Sequence, residues 1–140
     1  MNALRPSAIL VVDDDLDHAR IAEIVLRSIA PGVPVARCTT TRAAIAALDA
    51  LPRGTLVLLD RLLGGVESFA AVVALRARRP DLAIVMLSAA LSSVDRAYAI
   101  ACGAHDAIEK PASLAGWRTA LGALVAVSDG APGRRSPNAA

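Results

Sequence analysis

Four short apolar runs in this 140-residue chain each end on a group that could do chemistry. Ile9-Leu10-Val11-Val12 is followed by Asp13, Asp14 and Asp15, and Leu56-Val57-Leu58-Leu59 by Asp60. Ile84-Val85-Met86-Leu87 is followed by Ser88, and Ala107-Ile108-Glu109 by Lys110-Pro111. Each group alone has an ordinary explanation. Aspartates before a helix cap it and offset the positive end of its dipole, which suffices for Asp15 and Asp17. A strand-end aspartate, a turn serine and a surface lysine are equally unremarkable one at a time. Taken together they point elsewhere. Carboxylates converging from two strands raise one another's pKa unless a cation compensates them. Hard oxygen ligands of this kind suit Mg²⁺, which usually keeps part of its water. A hydroxyl and an ammonium beside them add donors for a phosphoryl group. The set therefore holds the parts for phosphoryl transfer onto an aspartate.

Lys110 stands out by composition as well, because the other 14 of the 15 basic residues are arginine. A compact ammonium fills a role at a small anion that a planar guanidinium fills poorly. Elsewhere the composition mainly excludes. With 31 alanines and three aromatics (Phe69, Tyr98, Trp117), the core must be aliphatic. Hydrophobic residues at 55% and charged residues at 20% do not describe a disordered chain. No apolar run approaches the roughly 18 residues that span a bilayer, and the first residues lack the basic start of a signal peptide. The net charge of +2 is scattered, so neither a nucleic acid nor a membrane is expected as a partner. Cys38 and Cys102 are too few for a disulfide framework and are expected as free thiols in the cytoplasm.

Elements must bring these groups together. Strand-like runs at 8–12, 33–38, 55–59, 83–87 and 107–109 alternate with helical spacing at 16–29, 41–51, 68–78, 92–101 and 113–127. Breakers stand between them, including Pro31-Gly32, Pro52, Pro80 and Gly103. Five strand–helix units with short connections predict an α/β (βα)5 fold. Its doubly wound, five-stranded parallel sheet carries helices on both faces, in the flavodoxin-like order 2-1-3-4-5. In such a sheet ligands bind beyond the carboxyl ends of the strands, where the four groups lie. Residues 1–6 read as an N-terminal extension, 7–127 as the domain and 128–140 as a disordered tail.

In their order, Asp13-Asp14, Asp60, Ser88-Ala89 and Lys110-Pro111 resemble the receiver domain of two-component response regulators over about residues 7–127. The resemblance implies that Asp60 accepts a phosphoryl group from a sensor histidine kinase or a histidine phosphotransfer protein. It implies Mg²⁺ held by Asp13, Asp14, Asp60 and the backbone carbonyl of Leu62. Ser88 and Ala89 would bind and sense the phosphoryl group, Lys110 would pair with it, and the Lys110–Pro111 bond would be cis. Downstream partners would meet the face of the fourth helix, fifth strand and fifth helix, and a homodimer is among the assemblies that face allows. A bacterial single-domain regulator follows, a signalling phospho-acceptor rather than an enzyme, acting as effector, relay or phosphate sink.

The chain also departs from that family. Gly64 stands where a proline is usual, and Glu67-Ser68 where Asp-Gly is usual, so a loop of higher backbone entropy is expected after Asp60. Ala107 occupies the position of the aromatic switch residue, so the response is expected to be small or routed through the fourth helix. Tyr98 there is read as a partly buried helix residue. Leu62 and Ala90 cannot orient a hydrolytic water through their side chains, which predicts slow self-dephosphorylation. His18 is read as a solvated helix residue beside the acidic loop. Two other readings stand beside this one. A degenerate, phosphorylation-independent interaction domain is favoured by Ala107, Gly64 and Glu67. A Mg²⁺-dependent phosphohydrolase is disfavoured by Leu62, where such enzymes carry a second aspartate.

Overall fold

The computed structural model describes residues 3–126, so the tail expected at 128–140 lies outside the described residues. Five parallel strands form one sheet in the order β2-β1-β3-β6-β7: β1 (Ile9–Val12), β2 (Val35–Cys38), β3 (Leu56–Asp60), β6 (Ala83–Ser88) and β7 (Asp106–Glu109). Counting only the strands of this sheet, that is the predicted order 2-1-3-4-5. β1 and β3, apolar throughout except for Asp60 at the end of β3, are buried on both faces, as strands between two helical layers must be.

Alternating side chains feed two cores. Ile9, Val11, Leu56 and Leu58 pack under α1 (Leu16–Ile29) and α5 (Leu114–Leu124). Leu10, Val12, Val57 and Leu59 pack under α2 (Thr41–Ala47), α3 (Phe69–Arg78) and α4 (Ser93–Cys102). Asp15 caps α1 by accepting the Asp17 and His18 backbone N–H groups, as expected of it. Gly103 closes α4 at φ +118°, a conformation that costs glycine little.

Register sets the geometry of the strand ends. Val12 lies opposite Leu59, so Asp13 and Asp60 emerge on adjacent strands at one level. Asp60 lies opposite Leu87 and Ser88 opposite Glu109, which carries the sequence Asp13, Asp60, Ser88, Lys110 across the top of the sheet.

Three expectations change. The helix expected over 41–51 is α-helical only to Ala47 and tightens into a 3-10 turn at Leu48–Ala50, ahead of Pro52. The loop after Asp60 is ordered as a hairpin, β4 (Leu62–Leu63) against β5 (Val66–Glu67). Gly64 at φ +59° and Gly65 at φ +78° supply the paired positive φ that a tight two-residue turn requires. Leu4, placed in an N-terminal extension, forms a parallel bridge with Val125 and packs against the α1–α5 core, because its apolar side chain finds cover there.

Candidate functional site

Asp13 and Asp60 are both buried in the cleft at the carboxyl end of the sheet, Asp60 to 8% exposure, while Asp14 stays exposed. Carboxylate oxygens of Asp13, Asp14 and Asp60 lie within 4.8 Å of one another. Lys110 reaches them from the end of β7, its Nζ 2.8 Å from Asp13 Oδ2 and 3.3 Å from Asp60 Oδ1. Its side chain is 7% exposed, so these pairs are screened little by solvent. Burial pushes the Asp60 carboxyl up to about 6, with the neighbouring Asp13 adding to the rise and Lys110 opposing it. Two crowded carboxylates with one ammonium between them form a site for additional positive charge.

Backbone contacts fix the acids. Asp13 Oδ1 accepts the Asp15 N–H at 2.9 Å, and Asp14 Oδ2 accepts the Gly64 N–H at 2.8 Å, tying the acidic loop to the hairpin. Ser68 Oγ donates to the Asp60 carbonyl at 2.6 Å, which holds the end of β3. An open cleft of about 560 Å³ lies over this arrangement, bordered by Asp14, Asp60, Ser88, Ala89 and Lys110.

All the side chains singled out at the strand ends are thus brought to one cleft. Ser88 Oγ donates to the Ala90 carbonyl at 2.7 Å rather than to a carboxylate. No peptide bond among the described residues is cis, so the expected cis Lys110–Pro111 bond is trans. The trans form is favoured intrinsically by about 0.5–1 kcal/mol, and Lys110 reaches both aspartates with the bond trans.

Ala107 is buried in the α2–α4 core, and no ring occupies its position. Beside it, burial alone would raise the Asp106 carboxyl. The Arg96 guanidinium at 2.7 Å and the Ala107 N–H overrule that and hold it below the usual carboxylate range. Tyr98 is 55% exposed rather than partly buried; its one ring contact among the described residues is edge-on to Phe69 of α3, with centroids 4.7 Å apart.

Two residues of the cleft escaped the sequence reading. His18, read as solvated, places Nδ1 3.1 Å from Lys110 Nζ, because the first turn of α1 brings it over the end of β7. Arg61, directly after Asp60, pairs with Glu67 at 3.2 Å and Asp95 at 3.1 Å and donates to the Ala90 carbonyl at 3.4 Å. A charged residue immediately following a fully buried strand was the available signal for Arg61. For His18 it was the three-residue distance from a capping aspartate beside the acidic loop.

A family model described as the response regulator receiver domain matches residues 9–121. The DNA-binding response regulator MtrA of Mycobacterium tuberculosis is 40% identical over 103 residues, covering 74% of this chain and 43% of that protein. MtrA of Mycobacterium leprae is likewise 40% identical over 103 residues, covering 74% of this chain and 44% of its own. The chain thus spans less than half the length of these curated relatives. Their name includes DNA binding, which the reading of this chain as having no nucleic-acid partner does not share. The receiver domain of NtrX from Brucella abortus matches with TM-score 0.66 at 30% identity, covering 80% of this chain and 92% of that one. The phosphorylated cyanobacterial phytochrome response regulator RcpA matches with TM-score 0.72 at 18% identity, covering 83% and 89%, a likeness of fold.

Proposed function

Since the chain belongs to the response regulator receiver domain family, we propose that it accepts a phosphoryl group on Asp60, with Mg²⁺ bound, and signals through protein contacts. The observation that carries this reading is Lys110 Nζ seated between Asp13 and Asp60, at 2.8 and 3.3 Å, inside a cluster of three carboxylates. The three oxygen donors fit a hard divalent cation. Asp13, Asp14 and Asp60 would hold it, with the Leu62 backbone carbonyl as a further ligand. Bound there, Mg²⁺ supplies charge that offsets the phosphoryl oxygens and the crowded carboxylates.

An Asp60 carboxylate oxygen attacks phosphorus and a new O–P bond forms as the P–N bond to a donor histidine breaks. The leaving imidazole takes the electron pair and is later protonated from water. Lys110, held at the floor by Asp13, shifts one N–H toward a phosphoryl oxygen. Ser88 turns its hydroxyl from the Ala90 carbonyl to another, next to Ala89. The domain catalyses at most its own phosphorylation and dephosphorylation.

The donor is a sensor histidine kinase or a histidine phosphotransfer protein. The surface for downstream partners is the α4–β7–α5 face, where Val94, Tyr98 and Leu114 are exposed, and a second copy of the chain is one candidate. Several arginines are already engaged by carboxylates, Arg27 and Arg37 by Glu23, Arg61 by Asp95 and Arg96 by Asp106, which supports protein rather than nucleic-acid contacts for this domain. No helix among the described residues is long and apolar enough to cross a membrane. Free thiols at Cys38 and Cys102 suit a cytoplasmic site.

The buried Ala107, with no ring to swing, favours a second reading as a phosphorylation-independent interaction domain. Incubation with acetyl phosphate and Mg²⁺, read by intact mass, separates the two. A phosphoryl adduct on the wild type and none on Asp60→Asn is expected; no adduct and no Mg²⁺ binding overturns the phospho-acceptor reading.

A further inference from the structure

We infer that His18 is a positioning residue for Lys110: its Nδ1 takes an N–H of the ammonium and so fixes where that charge is presented to a phosphoryl group on Asp60. The inference rests on the reading of Asp60 as the acceptor.

The argument begins with a count of donors. A lysine ammonium has three N–H groups and no lone pair. Lys110 Nζ has three partners within reach, Asp13 Oδ2 at 2.8 Å, His18 Nδ1 at 3.1 Å and Asp60 Oδ1 at 3.3 Å. Because the ammonium can only donate, Nδ1 must accept, and the ring proton sits on Nε2. Two N–H groups are then hydrogen-bonded, to Asp13 and His18, and these set the rotation of the head group while Asp60 Oδ1 pairs with its charge at 3.3 Å.

The three partners differ in what happens on phosphorylation. Asp60 Oδ1 is on the reacting carboxylate, so the N–H aimed at it is the one that must turn to a phosphoryl oxygen. Asp13 holds a second N–H from the floor of the cleft. With only these two contacts the ammonium could pivot about Asp13 and follow either carboxylate. The contact from His18 comes from a different element, α1, and closes that motion. Unlike the carboxylates, a neutral imidazole takes an N–H without adding negative charge to a site that already holds three acids.

The His18 backbone N–H donates to Asp15 Oδ1 at 3.1 Å, which fixes the residue in the first turn of α1, and its imidazole lies tilted at 47° to the Trp117 ring of α5, with centroids 6.3 Å apart. Nδ1 also lies 3.4 Å from Asp15 Oδ2, with no proton between them in this tautomer. His18 borders the same cleft as Asp60 and Lys110, so it acts within reach of an incoming donor.

Three proteins test this, wild type, His18→Leu and His18→Asn, the last restoring an acceptor oxygen close to the Nδ1 position. Phosphorylation by acetyl phosphate with Mg²⁺ is followed by intact mass across donor concentrations. The maximal rate of His18→Leu is expected to fall about fivefold, the factor one net hydrogen bond supplies, with His18→Asn recovering most of it. Equal maximal rates for wild type and His18→Leu would overturn the proposal, as would His18→Asn as slow as His18→Leu with melting unchanged. Two-bond ¹⁵N–¹H spectra of the imidazole need no phosphorylation and are expected to show the Nε2–H tautomer; a proton on Nδ1 refutes the contact. A wild type that takes no phosphoryl group would instead sink the Asp60 reading, leaving the tautomer to decide the His18–Lys110 bond.

Discussion

Asp60→Asn is expected to make the metal-free domain more stable near pH 8 and no more stable near pH 4. Burial, with Asp13 beside it, pushes the Asp60 carboxyl from 3.8 to about 6. A carboxyl whose folded pKa lies above its unfolded value binds its proton more tightly in the native state. Its contribution is therefore fully present below about 3.8, is lost as pH rises through about 6, and stays absent above that. At about 1.4 kcal/mol per tenfold change, the whole displacement corresponds to about 3 kcal/mol. The variant also takes one anion from Lys110, whose Nζ is 3.3 Å away. That loss offsets part of the relief, and a net gain of about 1–2 kcal/mol near pH 8 is expected. For a domain of this size it appears as a rise in Tm of roughly 4–8 °C.

Urea denaturation with a chelator present, near pH 8 and near pH 4, measures both ends of the window. A gain near pH 8 that disappears near pH 4 supports burial of the Asp60 charge, with Asp13 beside it, as the dominant energy of the site. A variant less stable than wild type near pH 8 would refute it. The Lys110 pair would then outweigh the cost of burying the Asp60 charge beside Asp13.

Mg²⁺ is expected to raise the Tm of the wild type at neutral pH and to do so much less in Asp13→Asn, as a thermal-shift titration would show. Gly65→Ala is expected to lower stability by about 1–2 kcal/mol in urea, because it places a Cβ at φ +78° in the hairpin turn. Self-dephosphorylation is expected to be slow, since Leu62 and Ala90 border the cleft with no polar side chain; Leu62→Gln should shorten the lifetime of the adduct in a mass time course. Arg61→Ala removes the contacts to Asp95 and the Ala90 carbonyl, and amide exchange over residues 89–95 is expected to speed up severalfold with the rest of the domain unchanged.

The parts of the molecule readable in the sequence are those set by local pattern and register. Buried strands such as Leu56-Val-Leu-Leu announce themselves by having no polar alternation. Once their order is set, the residue after each strand is placed across the sheet top with no further information. The hairpin at Leu62–Leu63 and Val66–Glu67 carries no such signal, because two-residue strands are too short to show a period. Its glycine pair is visible in the sequence, but the entropy of two glycines does not reveal that their paired positive φ orders a turn. His18 and Arg61 fail for a different reason. Their contacts, to Lys110 across 92 residues and to Ala90 across 29, depend on where a helix turn or a long side chain comes to rest in three dimensions. The cis bond at Pro111 came from resemblance, and neither the residue types nor the observed reach of Lys110 call for it.

The single lysine of the chain shows how far composition can be carried. Bias toward arginine predicts no particular position for an ammonium, only that one kept against the bias has a geometric reason. That reason is now specific. Lys110 meets Asp13, Asp60 and His18 from three different elements, around one nitrogen, with its side chain 7% exposed. A guanidinium spreads its donors in a plane and needs more room, so it could satisfy two of these partners side by side but not three arranged about a point. On the proposed reading of Asp60 as phospho-acceptor, a point charge also turns toward a phosphoryl oxygen by rotating one small head group rather than displacing a planar fork. The geometry that accounts for the lysine is therefore the same geometry on which the proposed role of Asp60 rests.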